Sequence, residues 1–132
     1  MENAMNDLTE NLRQQERIYR DMRQLARRQL NGINSGAGNP DADSILLERA
    51  KLAEEMQTIA AGAKLIENEL ADRLVLPEFT LKGLAGQVDA DAYQELEQAF
   101  GRVGELLREI LDLDDQATEL MRSRLQAFKG PR

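Results

Sequence analysis

Residues 91–128, DAYQELEQAFGRVGELLREILDLDDQATELMRSRLQAF, read as one uninterrupted amphipathic helix. Apolar residues recur there at alternating steps of three and four, the spacing of a coiled-coil seam. We expect the seam to consist of Tyr93, Leu96, Phe100, Val103, Leu107, Ile110, Ala117, Met121 and Phe128. A second row beside it widens the apolar face beyond what a narrow seam needs, and consists of Leu106, Leu111, Leu113, Leu120 and Leu125.

Length and composition predict a single helical domain. The chain has 132 residues, three prolines, no tryptophan and a net charge of −7. This acidic balance argues against a nucleic-acid-binding protein, which would carry a basic patch. The chain has neither cysteine nor histidine, so disulfides and the commonest acid–base group and metal ligand are excluded. With no secretory signal pattern and no membrane span in the sequence, we expect a cytoplasmic protein.

Turn signals divide the rest of the chain into further helices. We predict a helix over 3–30, a loop over 31–39 (NGINSGAGN), a helix over 40–74 and a final helix over 89–129. Asn39 is the expected N-cap of the second helix, with Pro40 at its first position. Residues 75–88 form a turn and a short helix capped by Thr80, and Asp89 caps the last helix. The fold class is all-α: an elongated antiparallel three-helix bundle with one short extra helix.

The second helix carries its own seam at steps of three and four. Arg49 lies in register with that seam and is expected to extend its charged end to water at an edge. Because this helix is acidic, we expect it to attract the arginine-bearing first helix. The predicted seam residues are Ile45, Leu52, Met56, Ile59, Ala63, Ile66 and Leu70.

Catalytic and metal-binding patterns are absent from the sequence. Stretches beginning at Asp41 and Asp89 have alternating aspartates but lack the glycine and later spacing of a calcium loop. Serine catalysis would lack a histidine base. We therefore expect no enzyme activity, no metal and no cofactor. Asp114 lies on the seam of the last helix, where it could fix the register, meet an arginine of the first helix, mark an opening to water or contact a partner.

The apolar flank of the last helix is the strongest candidate for a binding surface. An acidic chain with surplus apolar side chains on one helix is typical of a protein that binds another chain. Core packing of the same residues is the competing interpretation. The predicted partner-binding residues are Leu106, Leu113, Leu120, Met121, Leu125 and Phe128.

The order of these elements resembles the small flagellar type III export chaperones of the FlgN-like and FliT-like families. The resemblance spans residues 8–128 and includes LLERAKLAEEM (46–56), FTLKGLA (79–85) and ILDLDDQATELM (110–121). FlgN-like chains have two asparagines three apart in the last segment, where this chain has Asp112 and Asp115. The resemblance implies a cytosolic chaperone that delivers a late flagellar protein to the export apparatus. Its clients would be hook–filament junction proteins or the filament cap protein.

Two other functions are compatible with the sequence. A structural scaffold or adaptor would form a homodimer through the same apolar flank. A regulator would hold an acidic partner or an operator through the first helix and would depend on Arg17, Arg20 and Arg27.

Overall fold

A computed structural model describes residues 2–35 and 40–129, and within these it gives no side-chain placement for residues 128 and 129. The elements are α1 (Glu2–Ser35), α2 (Ala42–Arg73), α3 (Leu81–Leu84) and α4 (Ala90–Lys129). The described ranges contain no strand, so the all-α prediction is confirmed.

Helix α1 lies at the centre of the bundle. It packs along both α4 and α2, and no comparable backbone approach joins α2 to α4. Two ion pairs connect α1 to α4, Arg13 with Glu95 and Arg23 with Glu109, the latter at 2.8 Å. Because both pairs follow the same order along the two helices, α1 and α4 run parallel.

Helix α2 runs in the opposite direction to α1. The side-chain amide of Asn11, in the first third of α1, donates to the carbonyl of Ile59, in the second half of α2, at 2.9 Å. Arg28, near the end of α1, lies 3.7 Å from Asp41, which precedes α2. The three long helices therefore run up, down and up, which agrees with the predicted antiparallel order of sequence neighbours.

The acidic α2 was expected to attract the arginine-bearing α1, and Arg28 of α1 does lie near Asp41, which precedes α2. Most ion pairs that α1 makes with another helix are with α4, where arginines of α1 meet glutamates of α4 and an arginine of α4 meets a glutamate of α1. Glu16 of α1 is buried and its two oxygens accept from Arg20 at 2.6 Å and from Arg102 of α4 at 3.2 Å. This carboxylate, which accepts a hydrogen bond at each oxygen, fixes the register between α1 and α4.

The seam of α2 has the register that the sequence predicted. Ile45, Met56, Ala63 and Leu70 are buried, and Leu52, Ile59 and Ile66 are partly buried. Gly62 lies beside the contact with α1, because a Cβ built on it would meet the Asn11 amide at 3.5 Å.

The seam of α4 differs from the prediction at two positions. Leu107 is 38% exposed and Met121 is 58% exposed, whereas Leu106 is only 6% exposed. The reason is the position of α1: Arg102 and Glu109, four residues before and three after Leu106, both pair with α1, so Leu106 faces it. The buried residues of α4 are Leu96, Ala99, Leu106, Ile110 and Ala117.

Helix α1 continues five residues beyond its predicted end, through part of the predicted loop. Ile33 is partly buried there, and Arg124 of α4 donates to the carbonyl of Asn34 at 3.1 Å. This hydrogen bond to the backbone of α1 supports the extra turn. Residues 36–39, with the predicted cap Asn39, lie outside the described residues. Helix α2 begins at Ala42, so Pro40 does not occupy its first helical position.

The caps of the later helices agree with the sequence. The Thr80 hydroxyl accepts from the Gly83 amide at 2.9 Å, and the Asp89 carboxylate accepts from the Ala92 amide at 3.1 Å. At the end of α2, Leu76 N–H donates to the carbonyl of Ala71 at 2.8 Å and Val75 N–H to that of Asp72 at 3.2 Å. This is a Schellman motif with Val75 at the position that glycine usually occupies, with φ at 56°.

Candidate protein-binding surface

An ion pair between Arg49 and Asp114 identifies the sides of α2 and α4 that face each other. The guanidinium donates to both carboxylate oxygens, at 2.8 and 2.7 Å, and also to the Gln29 side chain of α1 at 2.8 Å. The hydrogen bond to Asp114 raises the pKa of Arg49, and burial opposes this shift. Three helices therefore meet at one polar contact.

This contact corrects two predictions. Asp114 meets an arginine of the second helix and not of the first, and Arg49 does not extend to open water, since its side chain is only 18% exposed. The planar two-point geometry fixes the relative position of α2 and α4 along their axes. Asp114 is thus a structural residue beneath the surface described next.

Helix α4 exposes apolar side chains on the same side as Asp114. Leu107 and Leu111 lie seven and three residues before Asp114, and Leu125 lies eleven residues after it. These separations place all three close to the Asp114 face of a helix with 3.6 residues per turn. Met121, seven residues after Asp114, shares that face. Leu111, Met121 and Leu125 are each more than half exposed.

Helix α2 contributes small and apolar residues opposite them. Leu46, Ala53 and Ala60 lie three residues before, four after and eleven after Arg49, so they share the face that meets α4. Ala50, four residues after Leu46, adjoins them, and all four are exposed. Because alanine side chains are short, the α2 side of the surface projects less far than the leucine-bearing α4 side. We call the combined set the α2–α4 surface; it consists of Leu46, Ala50, Ala53, Ala60, Leu107, Leu111, Met121 and Leu125.

The partner-binding residues that the sequence predicted do not lie on one open flank. Leu106 is buried against α1, so its assignment to an open binding flank is wrong for the free chain. Leu113 and Leu120 are partly buried, and Leu120 borders a hollow of about 500 Å³ together with Leu30 of α1. Met121 and Leu125 are exposed on the α2–α4 surface. The side chain of Phe128 lies outside the part that the structure describes.

Sequence reasoning missed the contribution of α2 to this surface. The signal was present, because Leu46, Leu47 and Leu65 are apolar and fall outside the α2 seam. All three are more than half exposed. Only Leu46 is on the side that faces α4, and the sequence alone does not show on which side of α2 the helix α4 packs.

Carboxylates border the α2–α4 surface on both helices. Asp43 lies three residues before Leu46, Glu54 lies four after Ala50, and Asp115 lies four after Leu111. All three are exposed, and none forms an ion pair within residues 2–35 and 40–129.

The arginines of α1 that would serve a regulator are partly engaged. Arg20 pairs with Glu16 at 2.6 Å, and Arg27 lies 3.9 Å from Glu109. Arg17 is exposed and forms no ion pair in the described part of the chain.

The described side chains include no group of three or more carboxylates that could hold a metal ion. None of the described helices has an apolar stretch long enough to cross a membrane. No protein-family model, curated protein or solved structure matches this chain.

Proposed function

We propose that this protein is a non-catalytic helical chaperone that binds another protein through the α2–α4 surface. The observation that carries the proposal is the exposure of Leu111, Met121 and Leu125 on one side of α4, opposite Leu46 of α2. Single exposed leucines are common on soluble proteins, whereas several that line one junction between two helices are typical of a docking site.

The proposed mechanism is capture of an amphipathic helix. A client helix would lie along the junction, with its apolar side chains over the alanines of α2 and against the leucines of α4. Capture would cover client surface that otherwise drives self-assembly. The groups involved are apolar and small, so the interaction needs no catalytic residue, metal or cofactor.

The resemblance to flagellar export chaperones gives the proposal its specific form. The client would be a hook–filament junction protein or the filament cap protein, held unassembled in the cytoplasm until the export apparatus receives it. The family resemblance supports this step, and the α2–α4 surface supports only the binding of a protein helix.

Affinity capture from native cell extract tests the proposal. The bait is the full chain, compared with Leu111→Gln/Leu125→Gln and with the control Leu65→Gln, which alters an exposed leucine on another side of α2. Bound proteins are identified by mass spectrometry and the complexes are then rebuilt from purified components. We expect the wild type and the control to capture a flagellar client, and the double variant to lose about ten-fold or more in affinity.

Other results would contradict the proposal in distinct ways. A client that binds equally well to the double variant would place the site elsewhere. If the wild type captures a protein unrelated to flagella and the double variant does not, the role as a chaperone or adaptor would stand and the flagellar assignment would be wrong. A wild type that forms dimers and binds no client, with a monomeric double variant, would establish the homodimeric scaffold.

A further inference from the structure

We propose that the segment bound by the α2–α4 surface is a cationic amphipathic helix. This inference rests on the proposed function, because it specifies the chemistry of the partner at the same surface. The charges at the border of the surface support it, because the apolar residues alone do not determine the charge of the partner.

Between Asp43 and Glu54, the border of the surface is mainly negative. Asp43 and Glu54 lie on the α2 side and Asp115 lies on the α4 side, so carboxylates flank the apolar residues from both helices. One cation on the same border, Arg122, is already paired with Glu119 at 3.0 Å. A partner that brings lysine or arginine to both sides of its apolar face would satisfy these carboxylates.

Two other cations lie near this stretch. Arg108 is exposed on the α4 side of the border, three residues before Leu111, and forms no ion pair within residues 2–35 and 40–129. Lys51 borders a hollow between α1 and α2 together with Glu48 and Glu55, on the opposite side of α2. Arg108 offsets one of the three carboxylates, and Lys51 does not face them, so the border keeps an excess of negative charge.

The spacing of the border fits a short helix. Asp43 and Glu54 are eleven residues apart on α2, which corresponds to roughly 16 Å along the axis. Because Arg49 is level with Asp114 and the helices run in opposite directions, Met121 lies at the Asp43 end and Leu111 lies toward Glu54. A docked helix of about three turns covers this length, with cations on both edges of its apolar stripe.

Two labelled peptides test the inference. Both are 18 residues long and have the same leucine and alanine stripe; one has lysine at every polar position and the other has glutamate. Fluorescence anisotropy with the full chain measures their dissociation constants. We expect the lysine peptide to bind about ten-fold or more tightly than the glutamate peptide at low salt, and this preference to shrink as sodium chloride is raised.

The border carboxylates are then neutralised in the variant Asp43→Asn/Glu54→Gln/Asp115→Asn. We expect this variant to lose most of the preference for lysine while still binding through its leucines.

A matched control separates local from general attraction, because the whole chain carries a charge of −7. The control Asp7→Asn/Glu78→Gln/Asp91→Asn removes the same charge from exposed residues away from the surface. We expect it to keep the wild-type preference. Equal losses in the two triple variants would overturn the inference, since the attraction would then belong to the net charge.

The remaining outcomes distinguish failure of this inference from failure of the proposed function. Equal binding of both peptides, lost in Leu111→Gln/Leu125→Gln, would overturn the cationic partner and leave the binding surface in place. Binding of neither peptide would overturn both proposals. A wild-type dimer in sedimentation that dissociates in the same double variant would identify a second copy as the occupant and overturn the inference.

Discussion

The contact between Arg49 and Asp114 should stabilise the fold measurably. A fully buried ion pair that loses one partner costs 3–5 kcal/mol, and an exposed pair contributes under about 1 kcal/mol. This pair is intermediate, because Arg49 is 18% and Asp114 is 38% exposed, and its two-point geometry favours the upper part of the range. We expect a coupling energy of about 2 kcal/mol.

A double-mutant cycle with Arg49→Ala and Asp114→Ala measures this coupling, because changes in helix propensity cancel within the cycle. The assay is urea unfolding at 25 °C, followed by circular dichroism at 222 nm. The control is the same cycle on Arg122 and Glu119, an exposed pair one helical turn apart, for which we expect at most about 0.5 kcal/mol. A coupling at Arg49 and Asp114 no larger than that of the control would refute the argument.

Four further substitutions have predictable effects on stability. Val75→Gly should raise the free energy of unfolding by about 1 kcal/mol, because it relieves a β-branched residue with a positive φ; an unchanged or lower melting temperature would contradict the Schellman assignment. Gly101→Ala and Gly104→Ala should each add about 0.5–1 kcal/mol, because a Cβ at either position meets no other atom within 4 Å; destabilisation in urea would show an unseen steric conflict. Burial raises the pKa of Glu67, and Lys64 partly opposes the shift. The folded state therefore binds this proton more tightly than the unfolded state, and stability is lost as pH rises through the raised pKa. Glu67→Gln should increase the melting temperature more at pH 7 than at pH 4, and an equal increase at both would exclude this origin.

The sequence was sufficient to predict the helices and the seam of α2, but not the seam of α4. In α2 Met56 lies between polar Glu55 and Gln57 in the sequence, so the register of the seam around it is unambiguous. In α4 the adjacent leucines 106 and 107 both satisfy the spacing. The choice depends on where α1 packs, and that depends on long-range pairs such as Glu16 with Arg102.

The candidate surface was only partly predictable for the same reason. Leu125 was predicted to bind a partner because the last helix has more apolar residues than a core needs, whereas Met121 was assigned to the seam as well as to the binding residues; both are exposed on α4. The role of Leu46 and Ala53 depends on which side of α2 faces α4. That side is fixed by the contact of Arg49 with Asp114, a tertiary pair that local spacing does not encode.

The most direct test of the account is photo-crosslinking in the cells that produce this protein. Benzoylphenylalanine is placed at position 111, on the α2–α4 surface, or at position 65, an exposed leucine on another side of α2. The account predicts a strong adduct with one client protein from position 111 and little or none from position 65. Adducts of equal yield from both positions, or an adduct from position 111 with the mass of two copies of this chain, would contradict it.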